Sequence, residues 1–373
     1  MDSIRSELNF LFSGKGMPYE KVCLMIAMII TIVLSVLLGG NFAKDTPVVV
    51  IDLDNSLSSR QFINNMNASE YIKVTLIFNN AADPEIFFYR DDAAAVVYIP
   101  REFEKNVNTG ATAPIGVFYD NTNTALTADV KTILNEIVAT ENAKLAKSTA
   151  SGGISLRDRN LFNPSGSTEN AQTEGFLFFF GSMFFVFATI GMVPRLRMTG
   201  ELNAILKTGT PWNLILRLVP YGIGLLTSFV VGMAILRVWG DMVFSGHLLS
   251  FLFIQFFYIL SVGMLSLLFG WNAANPGIAS SRMILFIPGG FILGGVTSPL
   301  THLSPWVVTL SHIFPLTWEF HFVRDIVMRG ASLADISKEV GAFFVYIGII
   351  AIILVAKFYK DKREMCRKIM LNE

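Results

Sequence analysis

Asp52 and Asp54, in the stretch Ile51 to Ser56 that reads IDLDNS, are the pair best placed for chemistry. Aspartates at the end of a β-branched run can hold magnesium around a carboxylate nucleophile, or open a calcium loop. A calcium loop needs glycine at its sixth position and glutamate at its twelfth, where Leu57 and Ile63 stand. Magnesium chemistry needs further acidic and lysine partners, and no clear downstream motif supplies them. Strand-end carboxylates that cap the following helix are the expected role. The histidines, His247, His302, His312 and His321, show no zinc-ligand spacing, and no Ser/His/Asp set stands out. No GxxxxGK[ST] loop occurs, so no catalysis, metal or cofactor is expected here. Any energy from ATP must enter through another polypeptide.

The elements that position these residues follow from composition. Of 373 residues, 52% are hydrophobic and 16% charged, which places the chain in a membrane. Its 29 basic side chains balance its 29 acidic ones, and no positive excess points to nucleic acid. The charge is uneven: residues 41–174 carry 11 basic and 17 acidic side chains, leaving 30 charges for the other 239 residues. A polar domain of ordinary globular size is thus inserted into a chain built for hydrocarbon. The two cysteines are Cys23, in an apolar run, and Cys366, in the basic tail, so the polar domain must fold without disulfides.

Charge-free runs Val22–Gly40, Gly175–Val193 and Leu218–Leu236 are each 19 residues, roughly 28 Å as helix against a core of about 30 Å. Further spans are expected at about Leu248–Gly270, Ile278–Val296 and Val340–Ala356, six in all. Arg5, Lys15 and Lys21 precede the first. Arg195, Arg197, Lys207 and Arg217 follow the second, and Lys357, Lys360, Lys362, Arg363, Arg367 and Lys368 follow the sixth. The positive-inside rule puts these segments and both termini in the cytoplasm, and residues 41–174 outside. Ile4, Leu8, Leu11 and Phe12 have helical spacing beside Arg5 and Glu7, which fits an interfacial helix over residues 1–20. A cleaved signal peptide is disfavoured, because some 20 residues precede the run and no clear small-x-small site follows it.

The expected fold is an all-α membrane bundle of six helices, with an extracytoplasmic mixed α/β domain between the first and second. Residues 1–20 form the interfacial helix, 21–40 the first span and 41–174 the domain. Residues 175–358 form the remaining spans, and 359–373 a basic cytoplasmic tail. From Met283 to Trp318, Pro288, Pro299, Pro305 and Pro315 make an uninterrupted helix implausible. A re-entrant hairpin at about 297–330 and an apolar loop on the headgroups both remain open. In the domain, Val48–Asp52, Val74–Phe78, Ala95–Ile99 and Ile115–Tyr119 read as strands. Asp83 before Pro84 signals a capped helix start, and Gly110 a helix stop. Thr124–Lys147 reads as a long amphipathic helix.

The chain resembles a permease subunit of the ABC-2 type family of ABC exporters, in the bacterial branch with a large external domain after the first span. The resemblance rests on VVVIDLDNSLSSR (Val48–Arg60), VVYIPREFEKNV (Val96–Val107), GVFYDNTNTA (Gly116–Ala125), LFNP (Leu161–Pro164) and RMTGEL (Arg197–Leu202). Late in the chain come SPWVVTLSHIFPLTW (Ser304–Trp318) and RDIVMRG (Arg324–Gly330). The resemblance implies an inner-membrane exporter of amphiphilic or hydrophobic molecules of the drug, lipid or glycan class. Two such permeases, identical or paralogous, pair with two ATP-binding subunits that hold ATP and magnesium, often beside a periplasmic adaptor.

On that reading Arg195, Arg197, Gly200, Glu201, Leu202 and Lys207 form the surface that meets the ATPase, although topology alone would account for the arginines. Thr227, Ser228, Gln255, Ser280 and Ser281 are candidates for a polar path, or for polar glue between packed helices. Glu319, His321, Arg324 and Asp325, with Arg329, cluster after Pro315. Spacing of i,i+4 makes salt bridging on a short external helix their expected role, and a titratable gate is the sharper alternative. The rivals are a membrane receptor binding an external ligand through residues 41–174, and a phosphohydrolase built on Asp52 and Asp54. A receptor would need a cytoplasmic output module, and about 20 residues at each end leave little room for one.

Overall fold

A computed structural model describes residues 45–89, 92–122, 124–146, 152–162, 168–239, 242, 244–296, 300 and 303–370. The expected interfacial helix, the first span and His302 lie outside them.

The polar domain is built on a five-stranded sheet in the order β2-β1-β3-β4-β5. Its strands are β1 (Thr46–Asp52), β2 (Ile72–Phe78), β3 (Ala95–Ile99), β4 (Ala113–Asp120) and β5 (Ile154–Leu161). β1 is parallel to both β2 and β3, β3 is antiparallel to β4, and β4 is parallel to β5. The parallel pairs need crossovers. Helix α1 (Leu57–Asn67) joins β1 to β2, and α3 (Thr124–Ala146) joins β4 to β5. The short α2 (Phe103–Thr109) links β3 to β4.

β1 lies inside the sheet, between β2 and β3, and its run of valines is buried on both faces, as an unalternating apolar strand requires. Val48 and Val50 pack with Phe62, Met66, Phe103, Val130 and Leu134 from the helices. Val49 and Ile51 point the other way, into a smaller cluster with Phe88, Val96 and Leu161. Each such side chain contributes about 1.5–3 kcal/mol of burial free energy.

The aspartates that opened the chemical question are structural. Asp52 is 1% exposed; its Oδ1 accepts from the amides of Asp54 (3.1 Å) and Asn55 (2.9 Å), and its Oδ2 from the Ser59 hydroxyl (2.7 Å). Ser56 and Ser59 complete a capping box at the start of α1. Asp54 accepts from the Glu104 amide (3.0 Å), tying the end of β1 to the first turn of α2. Partial burial opposes ionisation of Asp54, but hydrogen bonds from Ser56 and from the Glu104, Glu102 and Phe103 amides outweigh it and hold the carboxyl below its ordinary range. The other signals landed as expected: Asp83 caps a 3₁₀ turn at Pro84–Phe87, and Gly110 ends α2 in the left-handed region.

The remainder is helical. Among the described residues, four helical stretches are long and apolar enough to cross a membrane: Glu174–Met198, Trp212–Val238, Leu248–Gly270 and Ser337–Arg367. The first comprises most of α4 (Thr168–Thr189) and then α5 (Met192–Met198), followed by the short α6 (Glu201–Thr208). The second comprises α7 (Trp212–Ile215), a 3₁₀ turn and α8 (Val219–Trp239), and the third is α9 (Leu248–Gly270).

Close helix contacts rest on glycine, as expected where no hydrophobic force favours protein over lipid tails. A Cβ at Gly181 of α4 would stand 2.5 Å from the Phe229 ring of α8, and one at Gly232 of α8 would stand 2.6 Å from Leu177 of α4.

The stretch expected as a fifth span, Ile278–Val296, is not one helix. It comprises α10 (Pro276–Ser281), a 3₁₀ turn at Arg282–Leu285, and α11 (Ile287–Leu293). Asn275 caps the first piece, Phe286 leaves helical geometry at φ −133, and Pro288 sits in the first turn of the next. Arg282, inside the run, donates to the Phe269 carbonyl (2.8 Å). Prolines likewise open α12 (Pro305–Ser311) and α13 (Pro315–Val323), which continues into one π turn at Arg324–Met328. α13 is buried from Pro315 to Thr317 and again at Glu319, Phe320, Phe322 and Val323, so its broken backbone lies against protein.

The last helix, α14 (Ser337–Met370), has 34 residues and absorbs most of the stretch expected as a tail. At about 51 Å it is far longer than a bilayer core.

Replacing Asp52 with Ala removes acceptors for two amides and a hydroxyl in a buried place. Thermal unfolding of the full chain is expected to show a loss of about 2 kcal/mol, and Asp52→Asn, which keeps one acceptor, a smaller one.

Candidate functional site

The helical region has two ends of different chemistry. At one end, α5 turns into α6 through Gly200, whose φ of +79 lies in the left-handed region. No atom crowds the place of a Cβ there, so the constraint is backbone geometry alone. The residues expected on a contact surface divide here. Arg195, Arg197, Gly200, Glu201 and Lys207 are exposed, and Glu201 pairs with Arg217 at 3.0 Å. Leu202 is 2% exposed, so it anchors α6 in the core and offers no surface. Arg197 turns its guanidinium to the carbonyls of Ala273 (3.0 Å) and Trp271 (2.5 Å), stapling α5 to the end of α9.

α14 reinforces this end. Asp361 accepts from the Trp271 indole (2.7 Å) and pairs with Lys357 (3.0 Å), while Lys362 donates to the Gly209 carbonyl after α6 (3.1 Å). The exposed face of α6 is therefore backed by two spans and the last helix. No sequence signal had assigned Asp361 or Lys362 this role.

At the other end, the sheet domain meets the bundle. The cluster expected on an exposed external helix is instead largely buried: Glu319 is 0%, Asp325 1% and Arg329 5% exposed. The i,i+4 bridge from Arg329 to Asp325 is present at 2.5 Å. Arg329 also binds Asp120, at the end of β4, so one guanidinium joins the sheet domain to the π turn. A cavity of about 50 Å³ adjoins it, lined by Pro47, Ala94, Asp120, Thr122, Gly295, Arg324 and Arg329. The Ser245 amide, in the connection before α9, donates to the Val327 carbonyl (2.8 Å). His321 stacks on His312 with centroids 5.7 Å apart, and Arg324 donates to the Gly295 carbonyl (3.4 Å). Beside Asp120, Tyr119 bonds Asp158 (3.3 Å) under the Lys131 ammonium. Burial, and then the charge of Asp158, push the Tyr119 hydroxyl well above its ordinary value.

The polar residues proposed for a path are not gathered into one channel wall in this chain. Thr227 and Ser228 lie on the exposed face of α8 and bond to the Ile223 and Gly224 carbonyls of their own helix. Ser280 and Ser281 do the same in α10. Gln255 is fully buried in α9 and donates to Glu319 of α13.

Residues 22–357 match the family described as "ABC-2 family transporter protein". Proteins named "Probable multidrug ABC transporter permease YbhR", from Escherichia coli strain K12 and from Escherichia coli O157:H7, are each 23% identical over 341 residues. Each alignment covers 88% of this chain and 90% of the relative.

Arg329→Met would remove the buried guanidinium that joins Asp120 to Asp325. Thermal unfolding of the full chain is expected to register a loss of about 3–5 kcal/mol. Adding Asp120→Asn and Asp325→Asn to Arg329→Met should recover part of it, and a single Arg329→Met that melts like the parent would show that the bridge is idle.

Proposed function

Because the chain belongs to the ABC-2 family of transporter proteins, we propose that it is the membrane-spanning subunit of an ATP-driven exporter, carrying amphiphilic or hydrophobic molecules outward. It is a permease-family, multi-pass membrane protein. The multidrug designation of its relatives supports drug-like amphiphiles ahead of lipids and glycans. On this reading the chain crosses the inner membrane six times, with Val22–Gly40 as the first passage and the broken α10–α11 stretch contributing the fifth. Basic residues around Arg195 to Arg217 and beyond Lys357 favour a cytoplasmic position for α6 and both termini.

The observation that carries the proposal is the two-ended design: an exposed polar helix on rigid supports at one end, and a folded domain clamped by Arg329 at the other. A separate ATP-binding subunit, holding ATP and magnesium, presses on Arg195, Glu201 and Lys207. Arg197, Gly200 and Leu202 hold that face in shape. Such a partner drives transport only through contacts that differ between its two states, which shift the helix bundle between conformations. A second permease copy or a paralogue completes the path, with Thr227 and Ser228 on the exposed face of α8 available to it. A periplasmic adaptor would meet the sheet domain.

Charge reversal at the exposed face tests this. Glu201→Lys combined with Lys207→Glu should reduce substrate-stimulated ATP hydrolysis by the co-purified ATPase about tenfold, near 1.4 kcal/mol of coupling. Membrane insertion and thermal stability should be retained, and unchanged stimulation would reject the contact surface.

A further inference from the structure

Gln255 of α9 and Glu319 of α13 face each other in the bundle core, both fully buried. The Gln255 amide nitrogen donates to Glu319 Oε1. The two oxygens left over, Gln255 Oε1 and Glu319 Oε2, are also buried, and neither has a hydrogen-bond partner among the described residues. An amide oxygen and an ionised carboxylate can only accept. The pair is therefore one hydrogen short.

Among the described residues, no hydrogen bond to either oxygen supplies it. Tyr258, one turn along α9, shares a hydrogen bond with the Ser182 hydroxyl (2.6 Å). Glu174, in α4, is a second buried carboxyl whose Oε1 is itself without a donor. Arg324, beyond the end of α13, reaches the Gly295 carbonyl, and its charge is felt by Glu174. The packed face of α11 brings Ile287, Gly290 and Leu293, none of which titrates. Gln255 lies seven residues into α9, about 10 Å from its start. At that depth an unpaired carboxylate is costly, and a neutral acid is not.

We propose that Glu319 is a proton-binding site, with the proton on Oε2 donated to Gln255 Oε1. The acid and the amide then form a two-bond ring that latches α13 to α9. Separating the helices wets the acid; its O–H bond breaks, the proton passes to water and the electron pair stays on the carboxylate. Re-closing takes one proton back. The bundle thus exchanges a proton each time this contact opens and closes, whatever drives the opening.

The sign of the linkage is fixed. A packed state that binds a proton more tightly than the open chain is favoured while that proton is available and loses stability as pH rises. Glu319→Gln keeps both ring bonds without a proton, because its own amide can donate to Gln255 Oε1.

The test uses the full chain in lipid nanodiscs. Infrared spectra at neutral pH should show a protonated-carboxyl C=O band that Glu319→Gln lacks and Glu174→Gln retains. The Tm of the parent should fall as pH is raised into the alkaline range, while that of Glu319→Gln falls much less. A protonated-carboxyl absorption that Glu319→Gln leaves undiminished, parallel Tm profiles, or a Glu319→Gln chain that fails to fold would each overturn the proposal.

Discussion

A guanidinium buried between two carboxylates is tolerable only if all three stay in place. Asp120 ends a strand of the sheet domain, whereas Asp325 and Arg329 belong to a helical turn more than two hundred residues later. Either carboxylate left alone in that setting would carry a large desolvation penalty. The bridge therefore does more than attach a domain. It fixes how the sheet sits on the π turn, and through Ser245 and Val327 it reaches the start of α9. α9 lies at the centre of the bundle, packed on α4, α8, α13 and α14.

The same rule governs the rest of the helical region. Where the backbone breaks at α13 it does so against protein, and proline or asparagine opens the new helices from α10 to α13. Some buried polar side chains find partners on another helix, as Ser182 finds Tyr258 and Gln255 finds Glu319, while Thr189, Ser261 and Ser266 bond back to carbonyls of their own helices. Where charge is abundant, around α6 and the far half of α14, the helices have left the apolar zone. Two ends of different chemistry follow. One carries a folded domain, and the other a short exposed helix stiffened by Arg197, Asp361 and Lys362. On the proposed function, that separation lets a push at one face become movement at the other.

Much of this was legible in residue order, because it depends on local spacing. The four expected strands, the Asp83 cap, the Gly110 stop and the helix from Thr124 all lie where β-branched runs and turn residues placed them. β5 was missed because its middle, Arg157 to Arg159, is charged and exposed at the sheet edge, so no apolar alternation marks it. The Ile278–Val296 stretch looked continuous by hydropathy, yet Arg282 and Pro288 interrupt it. Leu202 was placed on the contact surface by the resemblance that RMTGEL carries, whereas its place on α6 turns it inward. Asp120 could not have been matched to Arg329, since pairing across that separation leaves no local pattern. Gln255 stood out as the polar exception in its span, but its partner came from the proline-broken segment whose path was open.

Sidedness is the claim on which the account turns, and site-directed labelling addresses it most directly. With Cys23 and Cys366 replaced by serine, single cysteines would be placed at Lys207 of α6 and Lys131 of the sheet domain, and intact cells treated with a membrane-impermeant thiol reagent. The account predicts that the position 131 cysteine is labelled at once and the position 207 cysteine only after the membrane is opened. Labelling of position 207 from outside intact cells would contradict it.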